Sequence, residues 1–172
     1  MSIQRILELD RRWTARLRVA ERPGALRRLA ALLAHSGDSW LWLLGLLVVW
    51  WKGDPRWRAW AVDYGSAVIS LAIVVLAIKF AVRRQRPAGE WGAIYRNTDP
   101  HSFPSGHAAR AFLLAALSLG LGPAWLALLL LIWAPLVSLA RVAMGVHYLS
   151  DVVGGALLGC LAGGLWLAAL LP

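Results

Sequence analysis

The sequence predicts an all-α, polytopic membrane helix bundle, and three observations carry that prediction. The 172-residue chain is 59% apolar and only 16% charged, whereas soluble domains average about 45–50% apolar and about 25% charged. Its apolar residues gather into long runs: 39–51, 111–140 and 152–172 carry no charge, and 59–78 carries only Asp63. A helix crossing a bilayer needs ~20 such residues. The longest run is broken by Gly120-Leu121-Gly122-Pro123, which reads as the turn of a helical hairpin. About five spans follow, in a single domain over residues 1–172.

Ahead of the first run the pattern changes. Ile6, Leu9, Trp13 and Leu17 fall on one helical stripe, with Arg5, Arg11, Arg12, Arg16 and Arg18 on the remaining surface. Such a helix lies in the membrane interface rather than across it. Pro23 suits the first turn of a second helix, where Leu26, Leu29 and Leu33 repeat the stripe opposite Arg27 and Arg28. Residues 1–38 are therefore expected to be interfacial and 39–172 to form the transmembrane core. With eight arginines and no apolar core, residues 1–28 do not read as a cleavable signal.

Run 39–51 is short for a span unless it borrows 29–34 across His35-Ser36-Gly37-Asp38. In the last run Gly155, Gly159 and Gly163 stand four apart, a seam of small residues that lets two helix backbones approach. Cys160, the only cysteine, reads as a small packing residue there and excludes a disulfide framework or a cysteine-based zinc site. The net charge of +9 points to an anionic membrane surface or a phosphorylated ligand. Nucleic acid is set aside, because the apolar runs leave no soluble face for it.

Charge at membrane depth is costly, so the polar residues flanking the runs carry the functional reading. Lys79, Arg86 and Pro87 are spaced K-x6-R-P. On a continuous helix Lys79, Arg83 and Arg86 share a face and Pro87 ends it. Basic residues at a span end also serve simply as headgroup anchors. Pro104-Ser105-Gly106-His107 opens the next helix: Ser105 is a natural N-cap, Gly106 lets an anion approach the backbone, and the first-turn N–H groups point at it. An ordinary capped helix start fits the same residues. Arg141, His147 and Asp151 are spaced R-x5-H-x3-D. The i, i+4 step sets Asp151 to receive the Nδ1 proton of His147 and leave Nε2 as nucleophile or base; a buried ion pair in a bundle is the alternative.

Taken together and in this order, the three groups resemble the signature of the type 2 phosphatidic acid phosphatase superfamily of membrane lipid phosphatases. Its pattern of K-x6-R-P, P-S-G-H and S-R-x5-H-x3-D is matched over residues 79–151, except that Ala140 stands where the third motif opens with serine. The difference affects one hydroxyl contact to the phosphate or the loop. The resemblance implies six helices, of which the first has no counterpart among the five spans. It also implies a chemistry. His147 attacks phosphorus to give a phosphohistidine, Asp151 holds its ring, and His107 protonates the leaving oxygen and then activates water. Lys79, Arg86, Ser105, Gly106 and Arg141 bind the phosphate. No metal or other cofactor is required, since Asp99 and His101 are too sparse a pair for a metal site.

The expected partners are the bilayer and a lipid phosphate: a polyprenyl phosphate or diphosphate, phosphatidylglycerophosphate or phosphatidic acid. The competing reading is a non-catalytic module that binds anionic lipid; the His147–Asp151 pair argues against it, because anion binding gains nothing from an oriented imidazole. Arg110, one turn beyond His107, is expected to pair with a carboxylate. Arg83, Arg84, Glu90, Trp91, Arg96 and His101 fall where headgroup selection would occur. A multi-pass protein of the plasma membrane follows. Five spans put the N-terminus and both catalytic loops on one face, which the eight preceding arginines make cytoplasmic, against the extracytoplasmic habit of the family.

Overall fold

The computed structural model describes residues 3–89, 91 and 99–171. Among these, the chain forms α1 (Ile3–Leu17), α2 (Ala25–Ser36), α3 (Ser39–Lys52), α4 (Pro55–Val82), α5 (Gly106–Leu121), α6 (Ala124–Ala143) and α7 (Leu149–Leu170). The sole pairing of strand type among the described residues is an isolated bridge between Gln85 and His101. The apolar runs become α3 to α7, and the turn at Gly122-Pro123 separates α5 from α6. By length and composition α4, α6 and α7 can each cross a membrane, whereas α2 and α3 meet the test only as a pair bent by 53°. α5, with 16 residues, is a shorter apolar helix.

α2 packs on α6 through the buried Ala30 and Ala34, while Leu26, Leu29 and Leu32 face outward. Bulky apolar residues outside and small residues inside suit a helix packed in a bundle against lipid. Joined to α3 across Gly37 and Asp38, α2 forms the bent pair that borrowing residues 29–34 for the first span anticipates. α7 repeats the arrangement: Leu157, Leu161 and Leu165 are 61–67% exposed. Cys160 is exposed beside them instead of packing inside.

α5 is the central element, packed most extensively along α7 and then α6. The glycine seam makes this possible. A Cβ on Gly159 would collide with the Ala109 carbonyl oxygen and lie 2.9 Å from Leu113 N, and one on Gly163 would lie 2.6 Å from the Ala116 methyl. Ser105 caps α5, accepting from Ala108 N at 3.4 Å, and its own N–H donates to Asp151 O at 3.0 Å. Close helix packing therefore delivers the start of α5 to the first turn of α7. α1 docks on that same end, where Asp10 Oδ1 and Thr14 Oγ1 accept from the N–H groups of Ser150 and Leu149, each at 3.0 Å. Its apolar stripe of Ile6, Leu9, Trp13 and Leu17 stays exposed, as an interfacial helix requires.

Candidate active site

Four helix ends converge: the C-termini of α4 and α6 and the N-termini of α5 and α7. α4 stops earlier than Pro87 dictates, because Arg83 adopts a left-handed conformation with φ of 52°. The chain then turns back, so Lys79, Arg83 and Arg86 do not share a helix face: Arg83 is exposed, while Lys79 and Arg86 are each 4% exposed and converge on Asp99. Lys79 Nζ pairs with the Asp99 carboxylate and donates to His101 O at 3.0 Å. Arg86 reaches the same carboxylate through Nη2 at 2.8 Å and donates Nη1 to Val146 O at 2.8 Å. The bridge between Gln85 and His101, with Ser102 N donating to Arg84 O at 2.8 Å, ties these two segments together.

His147 lies in the connection after α6, 1% exposed. Its Nε2 is 3.2 Å from Arg86 Nη1, and its Nδ1 is 3.6 Å from Asp151 Oδ2, just beyond hydrogen-bond length. Burial, reinforced by Arg86, Arg141 and Lys79, pushes the imidazole well below its ordinary value, which leaves it neutral at pH 7. Asp151 is fully buried in the first turn of α7, where its Oδ2 accepts from Tyr148 N at 2.8 Å. Its Oδ1 accepts from Arg84 Nη1 at 2.7 Å. Arg84, expected to face a headgroup, instead bridges Asp151 to Asp10 of α1, also at 2.7 Å, with its guanidinium 4.1 Å over the Tyr148 ring.

A cavity of about 300 Å³ opens in front of these groups. Lys79, Asp99, His101, Gly106, His107, Arg110 and His147 line its polar end. Val68, Leu71, Ala72, Val75, Leu76 and Phe80 of α4 line the rest. Ala72, Leu76 and Phe80 also lie on the exposed outer surface of α4, so the apolar side of the cavity gives onto the exterior belt. Arg141, 2% exposed in the last turn of α6, adds its charge near His147.

His107 has a carboxylate of its own, with Nε2 donating to Asp38 Oδ1 at 2.7 Å. Arg110 does not pair with a carboxylate: Nε donates to Gly37 O at 3.0 Å and Nη1 to Ser39 Oγ at 2.5 Å. Trp91 packs against the cluster around Ala30 and Ala34, near Arg27, instead of facing the cavity. Glu90 and Arg96 lie outside the described residues. Ala140 is buried with Ala30, Ala34, Met144 and Val146. A hydroxyl there would enter an apolar cluster.

Cations, a helix start and a neutral imidazole gather at the end of an apolar-walled cavity, a setting suited to an anionic group on an apolar tail. The comparisons give the family. Residues 60–171 match the PAP2 superfamily model, and the chain belongs to that superfamily as an integral membrane phosphatase of lipid phosphates. It is 38% identical over 151 residues to the decaprenylphosphoryl-5-phosphoribose phosphatase of Mycobacterium tuberculosis, covering 86% of this chain and 81% of that one. Over 143 residues it is 32% identical to the undecaprenyl-diphosphatase of Sulfolobus acidocaldarius, covering 78% and 66%. The PAP2-type phosphatidylglycerolphosphate phosphatase of Bacillus subtilis shares its fold at a TM-score of 0.78 and 21% identity, covering 95% of this chain and 85% of that one. LpxE of Aquifex aeolicus gives a TM-score of 0.69 at 25% identity, covering 94% of each chain.

Sequence reasoning missed Asp38, Arg84 and Asp10 as partners of the site and considered Asp99 only as a sparse metal ligand. Each meets its partner across a long stretch of chain, from 13 residues for Asp99 and Arg86 to 74 for Arg84 and Asp10. Periodicity and spacing carry no signal for such contacts.

Proposed function

We propose that this phosphatase hydrolyses a polyprenyl-linked phosphomonoester or diphosphate through a phosphohistidine on His147. The observation that carries the reading is the cavity: neutral His147 and the cations stand at one end, and an apolar wall along α4 leads from there to the bilayer-facing surface. A lipid phosphate has that polarity along its length. A polyprenyl tail agrees with the polyprenyl-linked substrates in the names of the mycobacterial and archaeal relatives.

In this account the phosphate displaces the Asp99 carboxylate from Lys79 and Arg86, and Arg141 with the start of α5 at Ser105 and Gly106 completes the cradle. His147 Nε2 attacks phosphorus as the bond to the leaving oxygen breaks, and protonated His107 gives its proton to that oxygen. Asp151 stabilises the charge that develops on the His147 ring. Neutral His107 then takes a proton from water as its oxygen attacks phosphorus. The P–N bond breaks, and inorganic phosphate leaves with His147 restored. Positioning and charge stabilisation supply most of the acceleration in phosphoryl transfer, which suits a site rich in fixed cations.

The active face is proposed to be cytoplasmic, because α1, with its arginines, docks on the catalytic end of the bundle. The test of function is a substrate panel with purified protein: polyprenyl phosphate, polyprenyl diphosphate, phosphatidylglycerophosphate and phosphatidic acid in matched micelles. Preferential phosphate release from the polyprenyl substrates supports the reading. Preference for a glycerolipid overturns the substrate class.

A further inference from the structure

Asp38 occupies the break between α2 and α3, far from every motif that defines the family, yet its carboxylate meets His107. We infer that Asp38 is the positioning residue for His107, holding its ring through Nε2 so that Nδ1 is presented to the leaving oxygen. The inference rests on the role proposed for His107 above.

The contact is built on both sides. Asp38 Oδ1 accepts from His107 Nε2 at 2.7 Å, and Oδ2 accepts from His35 Nδ1 at 3.2 Å, which fixes the carboxylate plane. Arg110, one turn along α5 from His107, grips the carbonyl of Gly37 and the hydroxyl of Ser39, the two residues flanking Asp38. Trp42 and Trp133 anchor the end of α2, donating to Ser36 O at 3.0 Å and Ser36 Oγ at 2.9 Å. Gly37 permits the approach: a Cβ there would stand 3.2 Å from His107 Cδ2 and 2.9 Å from the Val137 side chain. The 53° bend of the pair thus turns a carboxylate toward His107, beside Arg110. The carboxylate offsets part of the cost of charging the buried ring. When His107 gives its proton to the leaving oxygen, Asp38 keeps the Nε2 proton in place, so the neutral ring has its lone pair on Nδ1 for the incoming water. No proton passes to Asp38.

The experiment compares full-length wild type, Asp38→Asn, Asp38→Glu and His107→Ala on two substrates, a polyprenyl phosphate and 4-nitrophenyl phosphate, whose leaving group hardly needs protonation. Asp38→Asn should lose about ten- to a hundred-fold in kcat on the lipid phosphate with little change in KM, and less than about three-fold on the aryl ester. Asp38→Glu, which keeps the charge, should recover part of the lipid activity. Adding Asp38→Asn to His107→Ala should cost nothing further. Equal losses on both substrates, or additive losses in the double variant, would overturn the inference and leave Asp38 a brace for the α2–α3 bend. If Asp38→Asn does not fold, Asp38→Glu alone decides by the same substrate ratio. Failure of the underlying reading looks different: wild type would release no phosphate, or His107→Ala would itself show no leaving-group dependence.

Discussion

The two histidines of the site are held in contrasting ways. His147 is 1% exposed beside Asp151, which lies four residues on and is fully buried. His107 is 17% exposed, and its carboxylate, Asp38, is 21% exposed and 69 residues away in sequence. The first pair is backed by a chain of charge from Asp151 through Arg84 to Asp10 on α1, and the second by a kink whose backbone is clamped by Arg110. A nucleophile has to be neutral and fixed in line, which burial achieves. A proton donor has to exchange protons, which calls for a wetter place and a counter-charge.

If that contrast is right, damage to the two sides should read out differently. The largest effect is expected for Arg84→Ala, which leaves the buried Asp151 carboxylate without its cationic partner and loosens α1. Thermal unfolding in detergent should show a loss of about 2–3 kcal/mol, discounted because Arg84 is 19% exposed. Asp38→Asn should barely move the same transition. Next come Arg86→Lys and Arg141→Lys, since an ammonium cannot reproduce a planar fork such as the one Arg86 turns on Asp99 and Val146. Steady-state kinetics should show a loss of about ten-fold or more in kcat/KM, or about 1.4 kcal/mol.

A smaller effect with the opposite sign sharpens the picture. Asp99 sits on Lys79 and Arg86 where the substrate phosphate is proposed to bind, so Asp99→Asn should tighten inhibition by inorganic vanadate by about three- to ten-fold. Weaker inhibition would mean that Asp99 orders the cations and does not compete for them. Smallest of all, Ala140→Ser should leave kcat/KM within about two-fold, because the side chain faces Ala30, Ala34 and Met144. A large gain would place the hydroxyl on the phosphate instead.

What could be read beforehand follows the range of the contacts. The nearness of His147 to Asp151, the Ser105 cap and the glycine seam are local or periodic, and the chain writes such features in its spacing; the helical i, i+4 hydrogen bond is not formed, because His147 precedes α7 and its Nδ1 stops 3.6 Å from Asp151. The helix-forming runs were equally legible, since lipid selects them by composition. The outward leucine stripe of α2 is likewise periodic, whereas its packing on α6 through Ala30 and Ala34 is a long-range contact without a local signal. Arg83 was misplaced because a left-handed residue ended α4 four positions before the proline that was expected to end it. Asp38, Arg84 and Asp99 were invisible as partners: their carboxylates and guanidinium act across loops and helix ends that only the assembled bundle brings together.

The proposed mechanism requires His147 to carry the phosphoryl group in transit. Rapid quenching of the purified enzyme with 32P-labelled polyprenyl phosphate in excess EDTA tests it directly. A burst of labelled protein is expected, stable to alkali and labile to acid as a phosphoramidate is, mapping to His147 and absent from His147→Ala. Phosphate release by His147→Ala at a near wild-type rate, or activity that EDTA removes and a divalent ion restores, would contradict it.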